Sequence, residues 1–443
     1  MRGIAALVRR ITALALFVST FFVKLHAGTP EASIPWMDLH DKAMAAADRQ
    51  DIQTAILILK SCRDMAQTPV ERGLSANDLG LMLYRSGHAK EAMPLLQQAL
   101  DIWKARPGSF GRQAQTSVTI AEADRDAGDY ESAEKFVRDA LARIPEDEDL
   151  NAPERDAKAL ALDELGDLLR EQGRNVESRN LLLKAARMPG VSWHRVADSI
   201  VGLAELDRDT HNWEDSLAEW NSVAELGRNH GDEDLRAVAT RGLGATWLDR
   251  GNAARAEPLL RNALAAFESN PVLNRRQVAS TLTFMGQLYL GQDKLALAED
   301  ALNEALKADE RTFGESHPQL SIVHQMLGDT LARRSEMELA REHLARAVQI
   351  LSATFGEQSA MVGASLASWG IIEQRSHNLE RAVELFEKSL AAFRASKSSE
   401  LGNLKAYVLL RYADALKATH RKQEAKAVLA EARSFQAQSF QAK

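Results

Sequence analysis

A chain of 443 residues with one cysteine and a formal charge of −7 excludes several roles before any motif is sought. One thiol builds neither an intrachain disulfide framework nor a cysteine-based zinc site. The acidic balance lacks the basic footprint that nonspecific nucleic-acid binding needs, so no nucleic-acid partner is expected.

The N-terminal stretch comes first. Arg2, Arg9 and Arg10 form a basic front, and Ile11 to Val23 follows without a charge. That run fits the apolar core of an export signal and falls short of the ~20 residues a spanning helix needs. Residues 1–27 are therefore read as a signal peptide, with an uncleaved N-terminal anchor as the alternative. Either way the basic cluster places the rest of the chain beyond the membrane, in the periplasm or outside the cell. No stable membrane span is expected after processing. No cysteine follows the apolar run, so it offers no lipid-attachment site. Residues 28–36 read as a linker.

From residue 37 to residue 437 a four-point pattern of small residues recurs ten times. Its first point is Ala43, Gly80, Ala121, Gly166, Ala204, Gly244, Gly286, Gly328, Gly370 and Ala413. Seven residues later stands a turn-like or polar residue: Gln50, Gly87, Gly128, Gly173, His211, Gly251, Asp293, Ser335, His377 and His420. Twelve later comes Ala or Ser, from Ala55 to Ala425, and nineteen later another mostly small residue, from Cys62 to Ala432. Sixteen after the first point a large apolar residue appears each time, such as Leu96, Leu182, Trp220, Leu260 and Phe386. Small and large residues at these spacings make the packing faces of two amphipathic helices per unit, parted by the turn point. A period of this length means an array in which each unit packs on its neighbours. The expected fold is all-α, a right-handed superhelical solenoid of about ten helix-turn-helix units, and residues 438–443 are a tail.

The rest of the chain offers little chemistry. It has no Gly-rich phosphate loop, no H-E-x-x-H, no G-x-S-x-G and no EF-hand loop. His211, His377 and His420 occupy turn points and are turn residues before they are ligands. No catalytic residue, metal site or cofactor is expected, and the chain reads as a non-enzyme. Trp220, Trp247 and Trp369 fall at packing positions and are expected in the core. Trp103, Trp193 and Trp213 are expected to be partly buried between units.

This layout resembles the tetratricopeptide repeat family, whose Gly/Ala-Ala-Ala skeleton matches the small points above. The C-terminal half resembles the kinesin light chain type of that repeat, with its inter-unit turn at Phe313, Gly314, His317 and Pro318. The next unit keeps Phe355 and Gly356 but has Ser359-Ala360 in place of His-Pro. The resemblance implies a concave groove lined by the first helix of each unit, and a partner segment bound there. By period, the groove of the third to fifth units carries Glu122, Arg125 and Asp126; Asp167, Arg170 and Glu171; Glu205, Arg208 and Asp209. Two readings stand open for this set. It is an acidic trough for a basic or amide-rich segment, or its charges neutralise one another as ion pairs. The C-terminal groove carries Gln287, Gln325, Asp329, Arg333, Gln374 and Arg375, amide and guanidinium groups suited to peptide backbone or carboxylate. The function expected is a non-catalytic protein-interaction scaffold with a protein or peptide partner. The alternatives are a component of an envelope polysaccharide or peptidoglycan export or assembly machine, and a regulator or enzyme with a cryptic site.

Overall fold

The computed structural model describes residues 34–49, 51–126, 129–145, 150–269, 274–395 and 402–441. The signal segment, most of the linker and the turn points Gln50 and Gly128 lie outside the described residues. Twenty helices and no strand occur among the described residues. They form ten consecutive pairs. The first five are α1 (Ile34–Asp48) with α2 (Ile52–Met65), α3 (Pro69–Arg85) with α4 (Ala89–Lys104), α5 (Phe110–Asp126) with α6 (Tyr130–Leu141), α7 (Ala152–Glu171) with α8 (Asn175–Ala186), and α9 (Trp193–Asp209) with α10 (Trp213–His230). The other five are α11 (Glu233–Asp249) with α12 (Ala253–Glu268), α13 (Arg275–Gly291) with α14 (Leu295–Phe313), α15 (Leu320–Arg333) with α16 (Met337–Phe355), α17 (Ala360–Arg375) with α18 (Leu379–Ala395), and α19 (Gly402–Ala418) with α20 (Lys422–Gln441). The units stack as an all-α, right-handed superhelical solenoid.

Both ends of the array correct the sequence reading. Residues 34–36, read as linker, already belong to α1. Trp36 is buried, and its indole N–H donates to Cys62 O at 3.0 Å and to Ser75 Oγ at 3.2 Å. An apolar ring with a satisfied N–H anchors a helix start well. The C-terminal helix runs on into the expected tail, to Gln441.

The turn points show why the pairs form where they do. Every described one takes a positive φ: Gly87, Gly173 and Gly251, but also His211 (65°), Asp293 (59°), Ser335 (67°), His377 (63°) and His420 (64°). The next N–H then bonds back into the preceding helix, as His88 does to Leu83 O (2.8 Å), Asn212 to Asp207 O (2.8 Å) and Glu336 to Leu331 O (2.9 Å). This is the Schellman closure of a helix C-terminus. An L side chain in the left-handed region is strained by about 1–2 kcal/mol. Ser335→Gly is therefore expected to stabilise its unit by up to about 1 kcal/mol, the difference between that strain and the extra chain entropy of glycine. The urea midpoint of the variant checks this; a lower midpoint would mean that the serine side chain itself holds the turn.

The small first points exist because a large side chain lies against them. A Cβ on Gly80 would sit 2.8 Å from Leu96 Cγ, one on Gly166 2.8 Å from Leu182 Cγ, and one on Gly328 2.6 Å from Leu344 Cγ. Each partner is the large residue sixteen positions on, so the two helices of a unit touch along this line. Packing then passes to the next unit: Leu182 also lies against Gly202, and the Trp220 ring lies against Gly242. Trp220 and Trp369 are buried as expected. Trp103 is more buried than expected, at 1% exposure, with Arg112 over its ring. Trp247 is only half-buried at the core edge, its ring flanked by Arg250 (4.9 Å) and Arg255 (4.4 Å). Trp193 and Trp213 are partly buried.

The superhelix also meets itself. A Cβ on Gly87, in the α3–α4 turn, would lie 2.8 Å from His317 Cα and 3.3 Å from Ser316 O, in the α14–α15 turn. One on Gly314 would lie 4.0 Å from Gln53 Nε2 in α2. The first two units therefore touch the junction of the seventh and eighth.

Candidate partner-binding groove

The first helices α5, α7, α9 and α11 present their predicted groove positions to one another across unit boundaries. What results is a ladder. Arg125 Nη1 lies 3.0 Å from Glu164 of the next unit, and Arg125 Nε lies 3.9 Å from Glu171. Arg170 meets Asp167 of its own helix at 3.3 Å, then Glu205 (3.5 Å) and Asp209 (2.5 Å) of the next unit. Arg208 meets Glu205 at 3.8 Å and Asp249 of the next unit at 3.6 Å. Arg241 continues the line by donating to Gln277 Oε1 of the seventh unit. Arginine suits this because its planar fork can hold two carboxylates at once.

The ladder is buried except at Asp167 and Asp209, whose side chains are 18% and 33% exposed. Glu122, Arg125, Glu164, Arg170, Glu171, Glu205, Arg208 and Arg241 are all below 9% exposed. Burial raises Glu122, Glu164 and Glu205 above the ordinary carboxylate range, against the pull of the neighbouring arginines. Burial alone would lower Arg170, but Asp209, Asp167 and Glu205 hold it above its usual value. Arg85 and Arg241 are drawn down to about 10, by burial first and then by neighbouring arginines. The structure thus brings Arg125, Asp167, Arg170, Glu171, Glu205, Arg208 and Asp209 together as ion pairs, with Glu122 under the influence of Arg125. The side chain of Asp126 lies outside the described residues.

The C-terminal set is built differently. Arg333 lies 3.1 Å from Asp329 and donates to Leu290 O at 3.1 Å. Arg375, one unit on, reaches the same Asp329 at 3.3 Å. Both guanidinium groups are more than a third exposed (35% and 39%). Gln374 donates to Arg411 O at 3.2 Å, Gln287 is half-buried, and Gln325 is buried with its carbonyl oxygen unbonded. Asp329 thus joins Arg333 and Arg375, Arg333 also lies 4.0 Å from Asp293, and both arginines face solvent.

Sequence reasoning missed a second charged group. Arg85, Glu122 and Arg276 act on one another electrostatically, and Arg276 also acts on Asp309. Asp309 is fully buried, neither carboxylate oxygen has a hydrogen-bond partner, and burial pushes it up to about 8 despite Arg276. Arg85 stands five residues after Gly80, so the groove rule applied to the second unit would have found it. Nothing periodic marks Arg276 or Asp309. Burial, Arg276 and His88 together hold His317 well below the usual histidine range. His324, seven residues on, instead pairs with His343, Nδ1 to Nδ1 at 2.8 Å. Among the described residues no group of three His, Cys, Asp or Glu side chains could hold a metal, and no helix is long and apolar enough to cross a membrane.

Comparison with known proteins agrees with this architecture. A family model described as "Tetratricopeptide repeat" matches residues 71–146, 277–353 and 327–395. The structure of a Rap protein complexed with Competence and Sporulation Factor is 14% identical, covers 82% of this chain and 98% of its own, and superposes with a TM-score of 0.52. The apo form of the quorum sensor NprR from B. thuringiensis is 15% identical over 81% of this chain and 97% of its own, with a TM-score of 0.48. A putative kinesin light chain from Podosopora anserina with nearly identical TPR-like repeats is 20% identical over 46% of this chain and 96% of its own, with a TM-score of 0.39. At 14% identity the likeness to the Rap protein is one of fold. No curated protein matches the sequence.

Proposed function

We propose, on the premise that this chain is a tandem array of tetratricopeptide repeats, that it is a non-catalytic scaffold which binds a segment of a partner protein in its concave groove. The observation that carries this reading is the contrast within the groove. The ladder of α5 to α11 turns most of its charges inward on one another, whereas the side chains of Arg333 and Arg375, both in contact with Asp329, are more than a third exposed. Exposed guanidinium groups on the groove wall offer planar donor forks to a partner's carboxylate or backbone carbonyl. The partner is therefore held from the C-terminal half, by Arg333, Arg375, Gln374 and Gln287, while Glu122 to Asp209 form a stiff wall. This reading takes a partner that presents acceptors, in place of the basic or amide-rich segment of the acidic-trough reading. Export of the chain, read from residues 1–27, sets the partner in the cell envelope or outside it.

The test is affinity capture from a native envelope fraction with residues 28–443 as bait, beside the double variant Arg333→Ala/Arg375→Ala. Both side chains are more than a third exposed, so the variant is expected to fold with unchanged helix content. Loss of two charge-assisted contacts weakens retention of a specific partner by about tenfold or more. Equal retention by both baits would place binding elsewhere on the array.

A further inference from the structure

The one complete Phe-Gly…His-Pro turn of the chain, Phe313 to Pro318, has no role in the groove, yet it is the segment on which the superhelix closes. Its backbone at Ser316 and His317 lies so near Gly87 that no side chain fits between them. Gly314 approaches Gln53 of the first unit. The turn is internally braced, since the N–H of Gln319 donates to His317 Nδ1 at 3.2 Å. Arg276, at the start of the seventh unit, and Arg85, at the end of α3, stand close enough to influence each other, with Glu122 beside both. The corresponding turn one unit later lacks His-Pro, and a Cβ on its Gly356 would meet nothing within 4 Å. The turn with the full motif docks, and the turn without it does not.

We propose that the Gly314–Pro318 turn is an intramolecular docking element that latches the seventh and eighth units onto the first two, and that this latch closes the groove wall of α5 to α11 against entry from the side. Glu122, the first residue of that wall and 8% exposed, lies beside Arg85 and Arg276 at this closure. The proposal rests on the reading of the concave face as the partner-binding groove. Release of the turn from Gly87 would open the Glu122 end of that wall.

The test uses the full chain alone, so it stands apart from any result on partner capture. Gly87→Ala places a methyl group against the His317 backbone. Gly173→Ala imposes the same left-handed strain on a turn where a Cβ meets nothing within 4 Å, and serves as its matched control. With Gly87→Ala, the amides of residues 314–321 are expected to exchange with solvent about tenfold faster or more, and the radius of gyration from X-ray scattering rises. Gly173→Ala leaves both unchanged. His317→Ala, which keeps the Gly87 turn intact, is expected to act in the same direction as Gly87→Ala. If the two glycine variants exchange alike at 314–321, or if scattering is the same for Gly87→Ala and the parent, the contact is not a latch and the proposal fails.

Discussion

Arg170→Met is expected to destabilise the array by about 3–5 kcal/mol at neutral pH, the cost of leaving buried charge without its partner. Arg170 is 6% exposed and touches Asp167, Glu205 and Asp209. Without it, Glu205 keeps Arg208 at 3.8 Å and the weaker influence of Arg241. Methionine fills the volume, so the loss is electrostatic rather than a cavity. The sign of the pH dependence follows from Glu205, whose folded pKa already lies above its ordinary value through burial. A carboxylate raised on folding penalises the folded state above its unfolded pKa, and the penalty fades as pH falls. Removing the cation raises it further, so the deficit of the variant shrinks from neutral pH towards pH 4. Asp209→Asn in the same chain restores part of the stability. Urea unfolding at several pH values measures all of this. A deficit under 1 kcal/mol at neutral pH, or one that grows in acid, would show that the ladder does not hold these charges.

Gly242→Ala is the second change with a large expected effect, and its direction runs against helix propensity. Alanine inside a helix is ordinarily better than glycine by about 0.5–1 kcal/mol. Here a Cβ would lie 2.6 Å from Trp220 Cε3 and nearer still to the atoms where the rings fuse. Trp220 is 2% exposed and is packed with Val201, Ala204, Val223 and Ala239, so its ring has nowhere to move without displacing a neighbour. Overpacking of this kind costs about 1–3 kcal/mol, which outweighs the propensity gain. Gly111→Ala, near the start of α5, is the comparison, because its nearest neighbour would be Ala157 Cβ at 3.6 Å; it is expected to be neutral or mildly stabilising. Thermal melts followed by near-ultraviolet dichroism separate the two. Equal melting temperatures would mean that the fifth and sixth units do not pack through Trp220 as described.

What the sequence made legible is what depends on near neighbours. The register of Gly80 on Leu96 and Gly328 on Leu344 is a contact within one unit, and it repeats, so periodicity exposes it. The turn points are equally local, and even His211 and His377 could be assigned to turns from position alone. The groove rule placed Arg125, Arg170 and Arg208 on one face. It could not decide whether they answer Glu164, Glu205 and Asp249, because that depends on the small rotation between one unit and the next. The contact of Gly87 with His317 and the electrostatic influence of Arg276 on Arg85 sum that rotation over five units. No local pattern encodes such a sum, which is why Arg276 and Asp309 went unremarked and Phe313–Pro318 stood out only as an isolated motif. Trp103 was misjudged for another reason: its partner Gly73 lies seven residues before a first point, off the four-point pattern.

The meeting of the first two units with the α14–α15 turn changes how the array should melt and form. In an open stack of repeats every unit answers only to its neighbours, and both ends fray. Here the first two units are tied back to the junction of the seventh and eighth, so opening from that side must first break the Gly87–His317 contact. Units nine and ten are left as the one ordinary end, and opening starts there. The same tie joins residues 87 and 317, a span whose closure entropy must be met before the contact contributes. Helical repeats ordinarily fold fast because their contacts are local. This array unzips from one side and completes its folding at the pace of its most distant contact.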